Sequence, residues 1–287
     1  MKQQRTTSAP FLKWAGGKRK QVEYLARKLP AGERLVEPFA GAGAVFMGTE
    51  YDRYLLADTN TDLIDLYHAL LDDGQHFVRY AQGLFVPANN TEARYYELRE
   101  QFNHTPPGAV RAALFLYLNR HGYNGLCRYN SAGGFNVPFG AYQQPYFPAH
   151  ELRGFYVKMR TRDVTIALQD FRASFAQLQA GDVVYCDPPY IPLSKTASFT
   201  AYNGQSFDMD DHIDLHTLAI QAAADGRPVV LNNHSHPALN RLYRQSLASL
   251  AFKRRSRAIN AKTSARKGVV EVTAYWNFGA IETRMAA

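Results

Sequence analysis

Four short apolar runs limit what this chain can become. Arg34-Leu-Val-Glu-Pro-Phe39, Arg53-Tyr-Leu-Leu-Ala57, Asp182-Val-Val-Tyr-Cys186 and Arg227-Pro-Val-Val-Leu231 are too short for helices and too continuously apolar for half-exposed strands. Helical spacing fills the intervals, as with Leu63, Ile64, Tyr67, Leu70 and Leu71, or the amphipathic stretch from about Asp210 to Ala224. Strands buried on both faces and separated by helices describe an α/β fold with a mostly parallel sheet covered on both sides. The tail from Gly268 to Tyr275 alternates as a further strand. Between about Leu63 and Tyr156 the strand–helix alternation lapses. Helical periodicity continues to His121, notably over Ala109 to Arg120, and Gly122 to Pro148 is rich in glycine, proline and aromatic residues without a period. The expectation is two sheet-forming segments, 1–60 and 156–287, around an insertion at 61–155.

Open sheets of this kind bind ligands at the carboxyl ends of their strands. The first run ends in Phe39-Ala-Gly41-Ala-Gly43, a turn poor in side chains that lets a ligand approach the backbone, although a plain strand-to-helix connection also uses glycine. The second ends at Asp58. A carboxylate at that spacing suits the ribose hydroxyls of a nucleoside cofactor, or else caps a helix beginning at Thr61. The third ends at Asp187-Pro188-Pro189-Tyr190, where the proline pair stops the strand abruptly. Three such ends, in this order, are what one nucleoside-binding site requires.

The tetrad suits an aromatic amine such as adenine N6, whose lone pair is delocalised into the ring. Two acceptors aimed at its hydrogens, the Asp187 carboxylate and the Pro188 carbonyl, favour a tetrahedral nitrogen and return that lone pair to it. They also stabilise the positive charge that develops as a methyl group is transferred. Pro188 and Pro189 fix the geometry, and Tyr190 offers a face for the base to stack on. S-adenosylmethionine (SAM) is the expected methyl donor, without a metal: the nine His show no ligand spacing with the two Cys.

The chain carries a net charge of +8, which favours a polyanionic partner. Seven basic residues and no acidic ones lie between Lys253 and Lys267, either a solvated basic hairpin or an edge that touches phosphates. Two cysteines in 287 residues exclude a disulfide framework, and no apolar run has the length of a membrane span. The polar start, Met1 to Pro10, lacks a signal peptide's apolar stretch, so the expected compartment is the cytoplasm.

Longer motifs carry a resemblance. Phe11-Leu-Lys-Trp-Ala-Gly-Gly-Lys18, Val36-Glu-Pro-Phe-Ala-Gly-Ala-Gly43, Leu56-Ala-Asp58, Leu116-Tyr-Leu-Asn-Arg120, Gly122-Tyr-Asn-Gly-Leu-Cys-Arg-Tyr-Asn130, Phe135-Asn-Val-Pro-Phe-Gly140 and Asp187-Pro-Pro-Tyr190 follow one another in order. Together they resemble the Dam family of DNA adenine methyltransferases, which act on GATC, over Phe11 to about Tyr275. The resemblance implies a seven-stranded Rossmann-like methyltransferase sheet with a helical target-recognition insertion, acting as a monomer on double-stranded DNA in a bacterial nucleoid or, if phage-encoded, in the host cytoplasm. It implies that Trp14, Lys18, Glu37, Phe39, Gly41, Gly43, Asp58 and Asp187 hold SAM. Lys13 would read the first guanine, Tyr123 would wedge into the duplex, and Asn124 would hold the opened pair. Leu126 and Pro138 would meet the thymine methyl, Arg128 would read the guanine opposite the final cytosine, and Arg99, Arg120, Asn130 and Asn136 would touch phosphates. Ala141 departs from the pattern, standing where the family commonly has Arg, which removes a DNA contact.

Other chemistries fit less well. Cytosine C5 methylation needs a cysteine nucleophile, and Cys186 lies within an apolar strand. Cytosine N4 enzymes resemble a pattern with Ser in place of Asp187, and protein glutamine methyltransferases one with Asn. The first turn lacks the full G-x-G-x-x-G of an NAD dehydrogenase. A non-catalytic DNA-binding scaffold would have no use for an intact tetrad and glycine turn.

Overall fold

The computed structural model describes residues 9–18, 21–191, 207–246, 248–255 and 269–277. Its strands are β1 (Arg34–Glu37), β2 (Arg53–Asp58), β3 (Asp163–Leu168), β4 (Asp182–Cys186), β5 (Val229–His234), β6 (Ser249–Arg255) and β7 (Val269–Trp276). They form one seven-stranded sheet in the order β3-β2-β1-β4-β5-β7-β6, in which β7 runs antiparallel to its neighbours β5 and β6 and the remaining pairs are parallel. The helices are α1 (Val22–Lys28), α2 (Ala44–Gly48), α3 (Thr61–Gln82), α4 (Glu92–His104), α5 (Ala109–His121), α6 (Ala149–Thr161), α7 (Phe171–Ala176), α8 (Met209–Ala224) and α9 (Pro237–Gln245).

The four apolar runs are strands because each residue in them has a core to enter. Side chains alternate across a strand, so Leu35, Tyr54, Leu56 and Val183 join one core while Val36, Leu55, Val184 and Cys186 join the other. The first core continues without a break into α3, α4 and α5 through Tyr67, Leu98 and Leu116. The second is closed by α7, α8 and α9 through Phe171, Leu215 and Leu239. The expected boundary at 155/156 falls inside α6, whose Phe155 is fully buried.

From β1 the chain steps outward to β2 and β3, then returns to lay β4 on the other side of β1. The strand order therefore reverses between β1 and β4, which opens a crevice at their carboxyl ends. At the opposite end Arg34 and Asp182, paired in register, form a two-pronged ion pair, with Nε to Oδ1 at 2.9 Å and an Nη to Oδ2 at 2.6 Å. Asp182 is buried, so a guanidinium that offers two parallel donors is the partner best suited to fix these two strands.

Three strands differ from the sequence pattern. β3 has no continuous apolar run because it is an edge strand with Asp163, Thr165 and Leu168 exposed. β5 starts two residues later than Arg227 and runs on through Asn232-Asn233-His234, all buried. Asn232 is accommodated by partners on neighbouring elements: its Oδ1 accepts from Thr273 Oγ1 at 2.8 Å and its Nδ2 donates to the Tyr190 hydroxyl at 3.2 Å. β6 takes Lys253, Arg254 and Arg255 from the basic run, and Lys253 Nζ lies 4.5 Å over the Tyr24 ring. Arg257, Lys262, Arg266, Lys267, Gly268 and the terminal tails lie outside the described residues. Among the described residues, no helix is long and apolar enough to cross a membrane.

Candidate active site

The crevice between β1 and β4 holds a cleft of about 380 Å³. Trp14, Lys18, Glu37, Phe39, Gly41, Asp58 and all four residues of the Asp187–Tyr190 tetrad line it. Gly43 does not. It begins α2 with φ of +66°, and a Cβ there would lie 2.5 Å from the Phe155 ring, so its glycine serves helix entry and packing. Gly41, with φ of +48°, has the more direct role: a Cβ would lie 2.9 Å from the Trp14 indole nitrogen, and only glycine lets the indole lie against the turn.

Asp58 is tied to that turn. Its Oδ2 accepts from the Gly41 amide and its Oδ1 from the Asn60 amide, both at 3.0 Å, while the Tyr67 hydroxyl donates to the Gly41 carbonyl. The cap of α3 is Asn60, whose Oδ1 accepts from Leu63 N at 3.0 Å. Asp58 is thus left at the cleft wall instead of closing the helix. Burial pushes its carboxyl up, and the backbone donors partly offset that.

Glu37, at the end of β1, is fully buried, and its Oε1 has no hydrogen-bond partner among the described residues. Burial pushes the acid up to about 8, opposed by the Lys158 ammonium and a backbone hydrogen bond at Phe46. An orphaned buried oxygen on the wall of a cleft has a physical explanation when a bound polar group completes it.

At the tetrad, Lys18 Nζ lies 2.8 Å from Asp187 Oδ1 and donates to the Tyr190 hydroxyl at 2.6 Å and the Gly16 carbonyl at 3.2 Å. The Tyr190 hydroxyl in turn donates to Asp187 Oδ1 at 3.3 Å and accepts from Asn232 Nδ2 at 3.2 Å. Burial raises the Asp187 carboxyl, and Lys18 and Tyr190 pull it back. An acceptor oxygen on a rigid Pro-Pro turn, held between a cation and a phenol at a water-poor cleft, can exchange these donors for those of a substrate amine. Cys186, the residue before it, is fully buried, and burial pushes its thiol far up, so it offers no thiolate nucleophile.

Sequence reasoning missed one side of this cleft. Asp170, Phe171 and Arg172, just after β3, line it together with Phe207 and Asp211 at the start of α8. Phe39 stacks on Phe171 at 5.6 Å and meets Phe207 edge-on at 5.6 Å, forming an aromatic wall. Arg172 bridges Asp170 and Asp211 at 3.3 and 2.8 Å. The Asp170-Phe171 pair follows a strand end as Asp58 does, but the edge strand that would have pointed to it has no continuous apolar run. Asn232 was missed because it lies inside a strand.

A second cleft, of about 290 Å³, adjoins the first and shares Trp14, Ala15, Gly17 and Ala42 with it. Its wall includes Lys13, Arg120, Asn124 and Leu126. Lys13 is locked by its backbone to Asn119, with its N–H donating at 2.9 Å and its carbonyl accepting at 2.7 Å, and its ammonium lies 4.0 Å over the Tyr142 ring. Burial lowers the Lys13 ammonium. Tyr123 is exposed and its amide donates to the Pro138 carbonyl at 2.9 Å, which brings these two exposed residues together. Asn124 has φ of +54°, and its amide donates to the Tyr142 hydroxyl at 2.9 Å. Arg128 is held by Asn136, which accepts from its Nε at 2.7 Å and an Nη at 2.9 Å.

The phosphate candidates are partly used within the protein. Arg99 donates to the Val137 carbonyl at 3.1 Å, Arg120 to the Tyr146 carbonyl at 2.9 Å, and Asn130 Oδ1 accepts from the Ala132 and Gly134 amides at 3.0 and 2.9 Å. Asn130 thus shapes its own turn. Ala141 is exposed and has φ of +50°.

A glycine turn, a carboxylate at the next strand end and an Asp-Pro-Pro-Tyr tetrad around one crevice define a SAM-dependent methyltransferase of exocyclic amines. Comparison with known proteins narrows this. The model of the D12 class N6 adenine-specific DNA methyltransferases matches residues 14–259. The DNA adenine methylase of Serratia marcescens is 49% identical over 267 residues, covering 93% of this chain and 97% of its own. Those of Vibrio cholerae serotype O1 and Escherichia coli K12 are 46% and 45% identical, covering 96% and 94% of this chain and 96% of their own. Among solved structures, the rRNA methyltransferase AviRa of Streptomyces viridochromogenes matches 90% of this chain and 82% of its own at 14% identity and a TM-score of 0.35, a likeness too loose to bear on function. The chain belongs to the D12 class of N6-adenine-specific DNA methyltransferases.

Proposed function

We propose that this enzyme methylates N6 of adenine within GATC in double-stranded DNA, after turning the adenine out of the helix. N6 is buried in a duplex, so chemistry on it requires the base to leave the stack. SAM supplies an activated methyl group. Trp14, Lys18, Glu37, Phe39, Gly41 and Asp58 hold it, with Asp58 suited to ribose hydroxyls and the Phe39, Phe171 and Phe207 wall suited to a flat ring. Asp187 and the Pro188 carbonyl accept the amino hydrogens of adenine and stabilise the developing positive charge. Tyr190 stacks on the base, and Asn232 fixes the Tyr190 hydroxyl. None of these steps requires a metal.

Residues within 61–155 form the recognition unit between the catalytic segments 1–60 and 156–287, with α3 and α6 packing it onto the sheet. Lys13, Asn124, Leu126, Arg128 and Pro138 read or hold bases, Tyr123 wedges into the duplex, and Arg99, Arg120, Asn130 and Asn136 set the register on the backbone. The enzyme acts as a monomer in the cytoplasm. One observation carries this reading: the cleft holding the tetrad shares Trp14, Ala15, Gly17 and Ala42 with the one lined by Lys13, Asn124 and Leu126, so a base reader and the tetrad stand on either side of one wall.

The test is methyl transfer from labelled SAM to GATC duplexes and to duplexes changed at one base pair. Label should enter adenine of GATC and drop sharply with each change. Equal labelling of all duplexes would overturn the specificity, and label in cytosine would overturn the reaction.

A further inference from the structure

Arg128, which donates to Asn136, lies between two residues whose side chains bond to the start of α3. The Tyr129 hydroxyl donates to Asp62 Oδ2 at 2.5 Å, and Cys127 Sγ lies 3.6 Å from Asn60 Nδ2 and 3.8 Å from the Tyr129 oxygen. Asp62 is 5% exposed, and Arg111 on α5 also donates to it, from Nε to Oδ1 at 2.6 Å. A carboxylate so placed needs both donors, because removing a partner leaves buried charge uncompensated. The same turn starts at Asn60, whose amide is bound by Asp58. Asp58, Asn60 and Asp62 are therefore alternate anchors: the first lines the cofactor cleft, and the other two hold the segment that carries Arg128. With Cys127 and Tyr129 held against α3, the Arg128 guanidinium reaches instead to Asn136, donating to its Oδ1 at 2.7 Å and its carbonyl at 2.9 Å.

We propose that Asp62, acting through Tyr129, is a positioning residue for base reading: while Asn136 holds the Arg128 guanidinium directly, Asp62 anchors the segment that carries it and fixes that segment relative to the Asp58 end of the cofactor cleft. This rests on the reading of Arg128 as a base-contacting residue. Neither Asp62 nor Tyr129 lines either cleft, so both act through other groups. A guanidinium that makes two parallel bonds to a base edge loses them with a small rotation, so loosening the segment that carries it should cost specificity before it costs binding.

Tyr129→Phe keeps the ring and removes only the donor to Asp62; Asp62→Asn removes the charge and is the second variant. For each, kcat/KM is measured on GATC, on a duplex altered at the pair assigned to Arg128, and on a duplex altered at the first guanine, assigned to Lys13. Discrimination at the Arg128 pair should fall by about tenfold, the effect of one lost hydrogen bond to a charged group, while discrimination at the first guanine stays as in the wild type. Melting temperature identifies a variant that is merely unfolded, in which case the other decides. Equal loss on all three duplexes by a folded variant, or unchanged discrimination in both, would overturn the proposal. Arg128→Ala is measured alongside. If it fails to relax one base pair, the assignment of Arg128 is wrong, which is a different failure from Arg128 acting as assigned without help from Asp62.

Discussion

Lys18 Nζ and Asp187 Oδ1 lie 2.8 Å apart on the wall of the cofactor cleft, although the two residues belong to the two separate sheet-forming segments of the sequence. The ammonium is 3% exposed and also donates to Tyr190, so the free enzyme keeps its acceptor carboxylate occupied by its own groups. Substrate binding is then an exchange of donors at Asp187, made without exposing a bare buried charge.

The first prediction follows from that pair. Burial raises the Asp187 carboxyl and Lys18 opposes the rise, so removing the cation must move it further upward. In the proposed mechanism methyl transfer needs the carboxylate and is lost as pH falls through its pKa. In Lys18→Met, the acid limb of kcat/KM for the duplex, which reports the enzyme before the base is bound, should therefore shift to higher pH than in the wild type. An unmoved limb would show that Lys18 does not set the ionisation of Asp187.

Glu37 gives a prediction about stability. Burial carries its acid from 4.5 to about 8. Between those values the folded chain keeps a proton that the unfolded chain has lost. The stabilisation this group contributes is whole below 4.5 and declines as pH rises toward 8. Glu37→Gln should flatten that decline, read as the difference between the Tm–pH curves of the two proteins. Parallel curves would mean that Glu37 is ionised in the fold.

Ala141 is exposed, next to the loop carrying Pro138, and stands where the resembling family commonly has Arg. Ala141→Arg should restore one phosphate contact. Duplex binding should tighten at low salt, and the slope of log K against log salt should steepen by about 0.9. An unchanged slope would place this position away from the DNA backbone.

Much of this was legible in the sequence, for a definite reason. β1, β2, β4 and β5 lie at the centre of the sheet, where both faces are covered, and such strands must be continuously apolar. Gly41, Asp58 and Asp187 could be placed at strand ends because the strands themselves were visible. β3 was not, because an edge strand with Asp163 and Thr165 exposed leaves no such run; Asp170, Phe171 and Arg172 were lost with it. The fourth apolar run stops at Leu231, whereas β5 goes on through Asn232, which enters the strand because the distant partners Thr273 and Tyr190 satisfy it. The roles of Lys13, Tyr123 and Arg128 came from resemblance alone, because they lie outside the α-helices and strands and leave no periodic trace. Gly43 is the instructive case: its motif position suggested cofactor contact, and its neighbour in the fold is Phe155.

The central claim is that the Asp187 carboxylate, aided by the Pro188 carbonyl, activates the adenine amino group. The most direct measurement is the single-turnover rate of N6-methyladenine formation by Asp187→Ala at saturating GATC duplex and SAM, with SAM affinity measured on the same protein. The account predicts a rate lower by at least about 10²–10³, the scale on which losing one preorganised charge-stabilising group acts, with no recovery at higher concentrations of either ligand. A variant that forms N6-methyladenine at near wild-type rate once saturated would contradict it.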